Sequence, residues 1–117
     1  MSGSRPNGQA EERIPDSLAE ALAAAAAGLD PIERRSGSGG AVEYLRAGRL
    51  LAILETGGSA ASFLLSPPVA DAALRTPDTA PSTRGRGWIT LRPTILDSHA
   101  IDRATAWLES AWRHAGG

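Results

Sequence analysis

The chain has no cysteine among its 117 residues. That excludes disulfides, thiolate-ligated zinc, iron–sulfur clusters and a thiol nucleophile. It has no lysine either, so all twelve of its basic residues are arginine. Arginine presents a planar fork suited to phosphates, carboxylates and stacking. An arginine-only, alanine-rich composition is also what a GC-rich genome produces. Histidine is scarce: His99 and His114 are far apart, and neither sits in a ligand-spaced cluster of carboxylates. No metal site and no cofactor is expected. No apolar run approaches the roughly 20 residues needed to span a bilayer. The segment LAEALAAAAAGL, residues 18–29, is preceded by Glu11, Glu12 and Asp16 and interrupted by Glu20. A signal peptide needs a basic start and an unbroken apolar stretch. The expectation is a cytoplasmic protein that does not associate with membranes.

What is present suffices for one hydrophobic core. The net charge of -1 argues against a whole-protein basic field of the kind that drives nonspecific nucleic-acid binding. Local arginine patches remain. Residues 1–13 are polar, hold Gly, Ser and Pro, and show no apolar period. They read as a disordered leader to a single domain over residues 14–117.

Ser17 followed by Glu20 is a capping box, and Leu18, Leu22, Ala25 and Leu29 recur at helical spacing. Gly28 is placed to close this first helix. The serine–glycine run at residues 36–40 lacks the Lys-Ser/Thr ending of a phosphate loop and precedes a strand-like segment, so it reads as a joint. Residues 41–47 and 49–55 are strands joined by a tight turn at Ala47-Gly48-Arg49, and residues 60–65 form a third. Ser66 and Pro67 open a short helix whose inner face is Val69, Ala73 and Leu74. Thr76-Pro77 ends it. Residues 77–87, with two prolines and two glycines, read as a long exposed loop. Residues 88–92, WITLR, are a fourth strand. A last helix from Asp97 or Ser98 to about His114 carries the stripe Ile101, Ala104, Leu108, Ala111 and Ala115, flanked by Trp107 and Trp112. The expected fold is α+β: helix, three-stranded antiparallel meander, short helix, fourth strand and C-terminal helix, with the long helices on one face of the sheet.

No enzyme signature emerges. There is no GxSxG elbow, both histidines fall at the ends of the last helix, and Asp97 and Asp102 suit its N-terminus. The chemistry that stands out is TRGRGWITLR, residues 83–92. Alternation puts Ile89 and Leu91 on one face and Trp88, Thr90 and Arg92 on the other. With Arg84 and Arg86 on the preceding loop, and with Tyr44 and Arg46 as same-face contributors from the first strand, the set resembles a stacking platform for single-stranded nucleic acid. The plainer reading is a tryptophan sealing the end of the sheet beside solvated arginines.

Across residues 41–114 the order of motifs resembles the MmcQ/YjbR family. These motifs are a strand turning at glycine (residues 44–52), a strand running into a proline-capped short helix (63–70), a polar loop leading to Gly87-Trp88-Ile89-Thr90-Leu91, and the ending Glu109-Ser110-Ala111-Trp112-Arg113. The family often carries lysine where this chain has Ser66 and histidine where it has Gly87. The Gly-Trp strand and final helix are also similar to a family of small domains named for luciferase. The first resemblance implies a frataxin-like α+β fold in a bacterial protein and a DNA-binding role. The expectation is therefore a non-catalytic domain binding nucleic acid weakly through Arg84, Arg86, Trp88 and Arg92. The alternative is an accessory domain whose open face takes a protein, a small ligand or a second copy of itself.

Overall fold

In the computed structural model, which describes residues 15–117, helix α1 spans Leu18–Ala27. The predicted leader, residues 1–13, lies outside the described residues. Ser17 caps α1 by accepting from the Glu20 amide at 3.1 Å, and Glu20 Oε1 accepts from the Asp16 amide at 2.8 Å. The box therefore closes one residue earlier than its simplest form. Leu18, Ala21 and Leu22 are buried, and the small alanines allow α1 to lie close against the last helix. Gly28 closes α1 with φ -94, so it does not use the left-handed conformation that favours glycine.

Six strands form one antiparallel sheet in the order β1-β2-β3-β4-β6-β5. They are β1 (Glu33–Ser36), β2 (Val42–Arg46), β3 (Arg49–Leu54), β4 (Ala61–Leu64), β5 (Thr79–Pro81) and β6 (Trp88–Leu91). The expected meander is β2-β3-β4. Ala47 (φ 51) and Gly48 (φ 80) form a two-residue left-handed turn between the paired Arg46 and Arg49. That is the hairpin connection matched to the twist of the strands.

Two strands were not expected. Strand β1 precedes the serine–glycine joint, and β5 lies within the segment read as a long loop. Both are edges. All four residues of β1 are exposed, so it carries no buried–exposed alternation to betray it. Its charges, including the Arg35–Glu43 pair at 2.7 Å, discourage pairing with another chain. Strand β5 has three residues and ends at Pro81, which an edge tolerates.

Helix α2 (Pro67–Ala73) starts at the expected proline and buries Ala70 and Ala73. Leu74, expected on its inner face, is instead 37% exposed at the helix's C-cap, where the chain leaves the core. Helix α3 (Ser98–Ala115) is capped by Asp97, which accepts from the Ala100 amide at 3.0 Å. Its buried residues are Ala100, Ile101, Ala104, Trp107, Leu108 and Ala111. Helix α3 packs on β2, β3 and β4, and α1 packs on α3. Phe63 meets Trp107 edge-on, with ring centroids 6.1 Å apart. Both long helices thus join one core on one sheet face; on the opposite face Ile53 and Ser62 are buried, Trp88 and Thr90 are half-buried, and exposure rises toward Arg92.

Candidate functional site

The register decides which side chains share that opposite face. Directly paired residues point the same way. Tyr44 pairs with Ala52, Ala52 with Phe63, and Phe63 with Ile89. This row faces α3. The alternate rows carry Ile53, Ser62 and Thr90, with Leu64 beside Trp88. Trp88 and Thr90 are half-buried and Arg92 is exposed.

Tyr44 and Arg46 therefore do not contribute to the open face. Tyr44 is 1% exposed within the core, and its burial pushes the phenol pKa up. Arg46 lies 3.7 Å over the Trp112 ring and donates to the Trp112 carbonyl at 2.9 Å. Arg49 donates to the Ala115 carbonyl at 2.7 Å. Two guanidinium groups thus close the C-terminal end of α3, where its carbonyls lack partners and its dipole is negative.

On the open face Arg84 reaches back across the sheet to Glu55. It donates from Nη2 to Oε1 at 2.9 Å and from Nε to Oε2 at 3.3 Å. Glu55 Oε2 also accepts from Ser62 Oγ at 2.6 Å. Ser62 is fully buried, and its oxygen lies 2.8 Å from Thr90 Oγ1. Since the single Ser62 proton goes to the carboxylate, Thr90 is the donor to Ser62. The chain Thr90–Ser62–Glu55–Arg84 spans β6, β4, the end of β3 and the β5–β6 loop.

This network holds the Glu55 carboxyl below its ordinary pKa, first through the Arg84 hydrogen bond and then through Ser62 and the charges of Arg84 and Arg92. Glu55 therefore contributes stability above about pH 4.3, its unfolded value, and loses it as pH falls through the lower folded value. Denaturant midpoints measured from about pH 5 down to 2 should fall less for Glu55→Gln than for the parent chain. Identical pH profiles would show that the network has no energetic weight.

The β5–β6 loop is held in place at its ends. Leu65 donates its amide to the Gly87 carbonyl at 2.9 Å, and Gly87 has φ 84 with only 3.1 Å between an added Cβ and Leu65 O. Any side chain here would be strained. Across its neck the Ser82 amide donates to the Trp88 carbonyl at 3.0 Å. Arg86 is exposed, and neither its side chain nor that of Arg92 makes an ion pair or hydrogen bond among the described residues.

A groove of about 510 Å³ runs along this corner, lined by Thr79, Ala80, Ser82, Thr83, Thr90 and Arg92, with Asp78 at its end. The Asp78 carboxylate is engaged by the Thr94 amide at 3.1 Å and hydroxyl at 2.8 Å. Among the described residues no three His, Asp or Glu side chains gather as metal ligands. The structure thus brings Arg84, Trp88 and Arg92 to one face, leaves Arg86 exposed on the β5–β6 loop and sends Tyr44 and Arg46 elsewhere. Glu55 and Ser62 were missed in the sequence. Their signal was a serine inside the apolar run AASFLL and a glutamate ending the strand RLLAIL. Comparison with protein-family models, curated proteins and solved structures gave no match.

Proposed function

We propose that this is a small, non-catalytic domain that binds nucleic acid weakly through the open sheet face. Trp88 stacks on a base, and Arg86 and Arg92 meet phosphates, with Arg84 beside them. The observation that carries this reading is the placement of Trp88 and Arg92 along β6 and its continuation, turned away from the two long helices, with Arg84 drawn over the same face. Stacking aromatics beside cations are what single-strand binding uses. The same proposal places the chain among MmcQ/YjbR-like bacterial cytoplasmic domains. It is supported by the order helix, antiparallel meander, short helix, tryptophan strand and helix. No described helix is long and apolar enough to cross a membrane. A second reading, a small-ligand accessory domain, is favoured by the polar groove beside Arg92.

Titration with an oligonucleotide at low salt, read by tryptophan fluorescence, tests the first reading. Trp88 is the reporter, because Trp107 is buried and Trp112 lies beneath Arg46. A dissociation constant of about 10⁻⁴–10⁻⁶ M at physiological salt is expected for nonspecific phosphate contact. Arg86→Ala with Arg92→Ala should flatten the salt slope by about 1.4 on a single strand or 1.8 on a duplex. Trp88→Phe should weaken single-strand binding and leave that slope alone, since stacking releases no counterions. If neither single nor double strands change the signal at low salt, the nucleic-acid reading fails.

A further inference from the structure

We propose that Arg84 and Arg92 form a binding site for a phosphate-type oxyanion, which enters by displacing the Glu55 carboxylate from Arg84. The site rests on the proposed function only for the choice of face. It adds the ligand class and the group that occupies the site in the ligand's absence.

Glu55 sits as an oxyanion would. Both its oxygens lie on the Arg84 fork, at 2.9 and 3.3 Å, which is the geometry a phosphate shares with a carboxylate. The pair is accessible, with side-chain exposures of 39% for Arg84 and 26% for Glu55. Ion pairs this open to water are weak and exchange their partners. The carboxylate is not orphaned when it leaves the fork, because Ser62 still donates to it at 2.6 Å.

Charge favours the exchange. Arg92 acts on the same carboxylate, and its guanidinium makes no ion pair among the described residues. Glu43 also acts on Arg84, but its carboxylate is already paired with Arg35 at 2.7 Å. Glu55 brings the Arg84 fork a single negative charge, whereas a phosphate monoester or pyrophosphate brings two or more. The groove beside Arg92 supplies the room, about 510 Å³. It also supplies donors. Ser82 Oγ accepts from the Arg84 amide at 3.1 Å, leaving its own proton to give, and Thr83 lines the same groove. Asp78, the one carboxylate on that wall, is already held by Thr94.

The oxyanion could be carried on a small molecule or on a nucleic-acid strand, so the test uses both pyrophosphate and an oligonucleotide. Arginine Nε–H resonances of the full chain are followed during each titration. Pyrophosphate should shift Arg84 and Arg92 and leave Arg34 and Arg35 unmoved. Glu55→Gln should bind pyrophosphate about tenfold more tightly, because one negative charge a few ångströms from the anion has been removed. Arg92→Ala should bind it more weakly than the parent chain. Unmoved Arg84 and Arg92 signals in the parent chain would overturn the site, whether or not the Glu55 variant folds. So would a folded Glu55→Gln protein that binds no tighter. If pyrophosphate shifts both arginines and the oligonucleotide does not bind, the oxyanion site stands and the nucleic-acid reading falls. If the oligonucleotide binds and moves Arg86 and Arg92 while Arg84 stays unmoved by either titrant, the nucleic-acid reading survives and this site is overturned.

Discussion

Leu108→Ala is expected to lower the stability of the fold by about 2–5 kcal/mol, the range for truncating a buried leucine. Leu108 is fully buried at the centre of the α3 stripe. Its neighbours one turn away on the same face are Ala104 and Ala111, both also fully buried. An alanine methyl cannot rotate into the vacated space, so much of the cavity should persist on this side and the cost should fall in the upper half of the range. Denaturant unfolding measures it, with an unchanged slope showing that the denatured state is unaltered. Ile95, 71% exposed, is the control, and its truncation should stay within about 0.5 kcal/mol. A cost below about 1 kcal/mol at Leu108 would mean that α3 does not seat on the sheet through this stripe.

Arg46→Ala should cost about 2–4 kcal/mol, a large effect for a half-buried arginine. Two losses combine. The hydrogen bond to the Trp112 carbonyl at 2.9 Å is charge-assisted, a class contributing about 1.5–3 kcal/mol. The guanidinium 3.7 Å over the Trp112 ring adds about 0.5–2 kcal/mol. The two share one side chain and do not simply add. Arg46→Lys should recover only part of the loss, since an ammonium cannot stack and donate in the same plane. The fit is close: a Cβ added at Gly116 would overlap the Arg46 guanidinium. Gly116→Ala should therefore reproduce some of the same destabilisation. Denaturation gives the magnitude, and a changed Trp112 emission gives the location. If Arg46→Ala costs less than about 0.5 kcal/mol, the last turn of α3 is held by Arg49 and by the Trp112 Nε1 bond to Pro31 O without help from Arg46.

The fate of Arg46 shows where sequence reading stops. Alternation along β2 correctly puts Tyr44 and Arg46 on the same side of their own strand, but it cannot say which side of the sheet that is. The answer lies in the pairing Tyr44–Ala52–Phe63–Ile89, which runs across four strands. A bulge between Tyr44 and Leu45 adds a shift that no period reveals. Arg84 is a similar case. Its residue type and loop were legible, whereas its partner Glu55 is 29 positions away and is brought near only by the sheet.

The local signals were reliable because their physics is local. The Ser17 and Asp97 caps act within three residues, the Ala47-Gly48 turn within four, and the α3 stripe within one helix. Such features follow from backbone geometry and side-chain spacing alone. They determined the two long helices, the short proline-led helix, the central meander and the tryptophan strand. The tertiary structure decided the rest. Edge strands β1 and β5 exist because neighbouring strands offer them hydrogen bonds, although their own residues bury almost nothing. It also decided that Tyr44 is core, that Arg46 holds a helix end, and that Trp88, Arg84 and Arg92 share a face with Glu55. Register and long-range pairing are properties of the whole sheet, and no single stretch of the chain contains them.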